Sequence, residues 1–130
     1  MFLILIQLVL FFSKFPQENW SSYYEDEQIK IEYTSSICGN KKSDLSFEFY
    51  IIRIINKVDE TLVINFHKGI QENENEEYKV AFVLKPNEVR IGSCDYTPVD
   101  LKMYKRQNPN KSSKSTEIFS LSNISLVEVY

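Results

Sequence analysis

Apolar and polar residues alternate with a period of two through most of the chain. Ile29, Ile31 and Tyr33 alternate with Lys30, Glu32 and Thr34; Leu62, Ile64 and Phe66 alternate with Thr61, Val63, Asn65 and His67. Tyr78, Val80, Phe82 and Leu84 do the same against Lys79, Ala81, Val83 and Lys85. In an extended chain successive side chains point to opposite faces, so each run predicts a half-buried strand. Phe47 to Lys57 differs: only Glu48, Arg53 and Asn56 interrupt its apolar residues, which predicts a central strand covered on both faces, and its Ile and aromatic content favours strand over helix. Val89 to Cys94, Leu101 to Arg106 and Ile118 to Tyr130 complete the set, the last as one long strand or two short ones around Ser122 and Asn123.

The joints between these runs carry turn residues. Asn56 to Glu60 reads as a hairpin, and Lys68 to Glu77 as an acidic loop. Pro86 suits the first central position of a tight turn and Asn87 the second, because Asn tolerates a positive φ better than other non-glycine residues. With no long helical periodicity, the pattern predicts an all-β fold, an antiparallel β-sandwich of about seven strands over residues 28–130, preceded by a polar leader at 17–27.

Residues 1–16 stand apart. Phe2 to Phe12 is an apolar run broken only by Gln7, shorter than the ~20 residues a spanning helix needs and matching the ~7–15 of a signal-peptide core. No Lys or Arg precedes it and no small-x-small cleavage site follows, so the segment reads as a signal peptide or a short uncleaved anchor, with a buried first element as the plainer alternative. Membrane contact is expected through this segment alone, and the destination is secreted or the cell envelope, periplasmic in a bacterium.

Export gives the two cysteines a meaning. Cys38 and Cys94 lie 56 residues apart, each near a glycine at the end of an apolar run. In an oxidising compartment their pairing is favoured over two free thiols or a metal pair, and would stabilise the fold by ~4 kcal/mol in the chain-entropy model. Two cysteines and one histidine fall short of a closed zinc site unless carboxylates complete it. A net charge of −3 argues against nucleic acid, which demands clustered Lys and Arg that outweigh nearby carboxylates. The nearest approach, Lys102 to Lys114, has Asn, Pro and Ser enough to read as a solvated loop.

Little in the chain promises catalysis. His67 is the only histidine and falls on the face opposite Leu62, Ile64 and Phe66, toward solvent. The acids gather in polar stretches, Glu25 to Glu27 and Glu72 to Glu77, and the second group lacks the Asp-x-Asp-x-Asp-Gly order that wraps calcium. Gly39, Gly69 and Gly92 are too far apart for a phosphate loop. Asn-x-Ser sequons occur at Asn19, Asn110 and Asn123, about what chance supplies. No cofactor, metal site or catalytic residue is predicted.

The segment from Phe47 to Ile91 runs through an apolar strand ending at Asn56, a polar turn, TLVINFHKG and then VAFVLKPNEV. It resembles the immunoglobulin-like or fibronectin-like sandwich modules of exported bacterial proteins, whose corner of Leu-x-Pro-Gly-Glu has Gly where this chain has Asn87. It is also similar in layout to the bacterial intracellular proteinase-inhibitor domain. The resemblance implies an immunoglobulin-like sandwich, and no chemistry. The expected function is a non-enzymatic exported module that binds a protein or glycan, with Trp20, Tyr23 and Tyr24 as an aromatic surface or, equally, as rings that plug the end of the sandwich. The alternative is a small inhibitor or immunity-type protein of the envelope with an inserted loop as its working part; a hydrolase using His67 is the remote third.

Overall fold

A computed structural model describes residues 19–39, 46–69, 78–107 and 118–129. The N-terminal apolar run, residues 70–77 of the acidic loop and the sequon at Asn110 lie outside the described residues. Among the described residues eight strands form: β1 (Ser21–Glu25), β2 (Ile29–Gly39), β3 (Ser46–Asn56), β4 (Thr61–Lys68), β5 (Lys79–Leu84), β6 (Val89–Ile91), β7 (Lys102–Gln107) and β8 (Leu121–Val129). All pairings are antiparallel, in a five-stranded sheet β1-β2-β3 with β6 and β7 both on the far edge of β3, and a three-stranded sheet β5-β4-β8. The fold is an all-β sandwich. Its extra strand, β1, comes from the stretch expected to be a loose leader, whereas β7 falls where Leu101 to Arg106 predicts a strand, within the first half of the basic stretch also read as a loop.

The alternation predicted from sequence sets the inner faces. Ile29, Ile31, Ile52 and Ile54 of the larger sheet pack against Leu62, Ile64, Phe66, Val80, Phe82 and Leu84 of the smaller, each side chain contributing on the order of 1.5–3 kcal/mol by leaving water. β3 is central, as its sequence predicts, with β2 along its whole length on one side. One side of the sandwich is closed by rings. Phe119, leading into β8, stacks on Tyr33 at 4.2 Å and meets Tyr23 and Tyr50 edge-on.

The connection at 57–60 corrects a sequence expectation. It is not a hairpin: β3 belongs to one sheet and β4 to the other, so the chain arches across the core. The Pro86-Asn87 turn between β5 and β6 crosses in the same way. It is a tight turn as predicted, closed by Glu88 N–H donating to Lys85 O at 3.0 Å, with φ 58° at Asn87. The two arches bond to each other. Asn87 N–H donates to Val58 O, and the buried Asn56 amide donates to Glu60 O and Lys85 O at 2.8 and 2.9 Å while accepting from Val58 N–H. Asn56 thus satisfies backbone groups of both arches that burial would otherwise leave unpaired.

Candidate functional site

β6 and β7 lie end to end along one edge of β3, β6 opposite Arg53–Ile55 and β7 opposite Phe47–Ile51. Between them the chain leaves the sheet at Gly92 and returns at Leu101. Both ends of this excursion bond to one residue: Gly92 N–H donates to Ile52 O, and Leu101 O accepts from Ile52 N–H, each at 2.9 Å. The neck is tight. A Cβ on residue 92 would stand 2.0 Å from Leu101 O, so only glycine fits.

Cys94 then ties the loop to β2 through a disulfide to Cys38, as the sequence predicts. Cys38 alternates with Ile37 and faces outward, so the bond draws the loop across the outer face of the larger sheet. Ile51 also points outward, alternating with Tyr50 and Ile52, yet is only 6% exposed. Further bonds brace the loop. Lys102 Nζ donates to Cys94 O at 3.2 Å, and Thr97 Oγ1 to Val99 O at 2.6 Å. Lys68, buried at the end of β4, reaches over from the smaller sheet to Asp100 at 2.6 Å and to Lys102 O at 3.0 Å, fixing the returning limb.

At the tip of this tethered segment Tyr96 is 92% exposed. On the same outer face Phe47, Phe49 and Tyr104 form a cluster with ring centroids 6.0–6.5 Å apart, and Lys102 Nζ lies 5.3 Å from the Phe49 centroid. Sequence reading missed Tyr96. A lone Tyr between Asp95 and Thr97 carries no periodic signal, and the neighbouring Gly92, Cys94 and Pro98 were the available hint that this segment was a structured excursion.

The aromatic residues singled out from sequence do not share one surface. The Trp20 ring lies 4.1 Å from the Arg53 guanidinium, which in turn donates twice to Glu32 Oε1 at 3.0 and 2.7 Å. Tyr23 is a clasp between sheets, its hydroxyl donating to Leu121 O and accepting from Leu121 N–H, both at 2.9 Å. Tyr24 bonds Asp26 Oδ2 at 2.8 Å, which pushes its phenol above the ordinary value. A register shift between Ser22 and Tyr24 separates the two tyrosines.

His67 sits at the end of β4 opposite Lys79 and Ser122, with its Nδ1 and Ser122 Oγ both buried without a hydrogen-bond partner. Neither sulfur is a free thiol that could join it in a Cys-His pair, since Cys38 and Cys94 are bonded to each other. Among the described residues no three His, Cys, Asp or Glu side chains converge as metal ligands. Neither a family model, nor a curated protein, nor a solved structure matches this chain.

Proposed function

We propose that the chain is an exported, non-enzymatic module that binds a protein or glycan through its Gly92–Leu101 loop. The observation that carries this reading is Tyr96, an aromatic ring left 92% in water at the tip of a segment held at its neck by Ile52 and along its length by Cys38. Such a ring contributes nothing to the monomer's core. It does supply what a binding surface needs, a large amphipathic anchor on a pre-organised backbone that loses little entropy when it docks. The disulfide fits an oxidising compartment, and with the apolar N-terminal run it supports secretion or placement in the cell envelope. The resemblance of the Phe47–Ile91 corners to immunoglobulin-like modules of exported proteins points the same way.

A second reading is favoured by the double bracing of the loop: a small envelope inhibitor or immunity-type protein presents its working segment in this manner. The two readings differ in the partner. Capture from the native envelope or extracellular fraction should succeed with the wild-type chain and fail at least tenfold with Tyr96→Ala, while the melting temperature stays within a degree or two. An enzyme partner whose turnover falls on binding selects the inhibitor; a partner without catalytic activity, or a glycan, selects the binding module. Capture unaffected by Tyr96→Ala would place the working surface elsewhere.

A further inference from the structure

The outer faces of the two sheets are unlike. The larger one carries Lys30, Glu32, Arg53 and Lys102, and is crossed by the disulfide-bound loop. Among the described residues, the two central rows on the outer face of β5-β4-β8 carry no charge. Register places Val83, Val63 and Val127 in one row across the three strands, with Ala81, Asn65 and Ser125 in the next. Val83 and Val127 are 51% and 57% exposed. A solvated sheet face ordinarily carries polar residues at its outward positions, and no packing among the described residues accounts for a valine row there. Charge reappears on this face at both ends of β5, with Lys79 opposite His67 and Lys85 at the outward position after Val83.

We propose that this face seats the same face of a second copy of the chain. The argument for a second copy is the absence of charge. In a two-fold contact, residues near the axis meet their own counterparts, so any ionised group there would oppose one of its own sign. A quarter of the chain is charged, yet both central rows contain no ionisable group. A partner carrying charge of its own could be matched by opposite charge on this face and would not require this exclusion. The row is also centred on Val63. A two-fold axis in the contact plane beside Val63 lays valine on valine whether it runs along β4 or across it. Size sets the strength: three strands ~4.8 Å apart, with ~3.4 Å per residue, present a few hundred Å². A standard stable interface buries ~800 Å² per partner, so the dimer is weak and reversible.

Sedimentation equilibrium of the full chain over a concentration series tests this, with Val63→Lys, Val63→Glu and their equimolar mixture alongside. The wild type should show a reversible monomer–dimer equilibrium. Each variant alone should dimerise at least tenfold more weakly, because like charges meet at the axis, and the mixture should return to within about threefold of wild type by pairing Lys with Glu. Melting curves check that the variants are folded; if Val63 variants melt early, Val127→Lys, at a more exposed position, should weaken dimerisation in their place. A wild type that stays monomeric throughout overturns the proposal. So does a dimer indifferent to these charges, which would form through the apolar N-terminal run or a free strand edge, and so does a mixture that fails to recover, which would mean that the face meets something other than itself.

Discussion

Asn87 is one of two non-glycine residues at positive φ among those described, the other being Asn123, where the pairing of β8 with β4 shifts register. A left-handed backbone costs a β-branched side chain most and glycine nothing. Asn87→Gly should therefore be neutral or slightly stabilising, since the 3.5 Å contact from Asn87 Nδ2 to Asp59 is long and exposed. Asn87→Val should lose about 1–3 kcal/mol with the fold unchanged. Paired thermal melts check both. A Val variant as stable as wild type would show that the turn relaxes without strain, despite the bond from Asn87 N–H to Val58 O that pins it.

Two elements depend on single side chains. The β1–β2 turn is organised by Asp26, whose Oδ1 accepts from the N–H groups of Gln28 and Ile29 at 2.7 and 2.8 Å. Burial pushes its carboxyl upward, but the bonds from Ile29, Tyr24 and Gln28 and the nearby Lys57 together outweigh this and hold it below the ordinary value. A carboxyl lowered on folding stabilises the fold fully above its unfolded value, near ~3.9, and loses that contribution as pH falls through the folded value. Glu25 is lowered in the same direction by its bond to Lys57. Asp26→Asn keeps the acceptor oxygen, so it should lie within about 1 kcal/mol of wild type at pH 7. Its stability should fall less steeply below pH 4, which denaturation across a pH series would show. The loop neck is the second such element. Gly92→Ala forces Leu101 O away, so it should cost more than about 2 kcal/mol and speed amide exchange at Ile52, whose N–H bonds that oxygen. Unchanged exchange at Ile52 would mean the neck opens without disturbing β3.

For the whole molecule the Cys38–Cys94 bond matters most, because it joins β2 to a loop 56 residues later in the chain. Constraining an unfolded loop of that length is worth about 4 kcal/mol, a large part of the 5–15 kcal/mol by which domains are stable. Cys38→Ser with Cys94→Ser, or reduction of the wild type, should lower stability by an amount of that order in denaturant titrations. The loss should free the Gly92–Leu101 loop before the core, since the bonds to Ile52, Lys68 and Lys102 would then be left to hold it. Equal stability of reduced and oxidised protein would contradict this account.

Strand faces were legible in the sequence because alternation is local: the residues that point inward in β2, β4 and β5 are those the period of two selects. The left-handed Asn87 was legible for the same reason, being a property of one residue and its neighbours, and so was β3 as the central strand, apolar on both faces. The compatible placement of Cys38 and Cys94 could be inferred, their bond being the simplest use of two cysteines in a chain whose N-terminal run predicts export. Which sheet each strand joins was decided only in three dimensions. Asn56 to Glu60 has the residues of a reversal, and a reversal serves a hairpin or an arch equally; burying Leu62, Ile64 and Phe66 against Ile52 and Ile54 selects the arch. Likewise Trp20, Tyr23 and Tyr24 read equally as one surface or as plugs for the end of the sandwich until the irregular pairing of β1 gave each ring a separate partner. Tyr96 became a candidate site only through the exposure created by long-range bonds to Ile52, Cys38 and Lys68, and a linear pattern carries no record of contacts between residues so far apart in the chain.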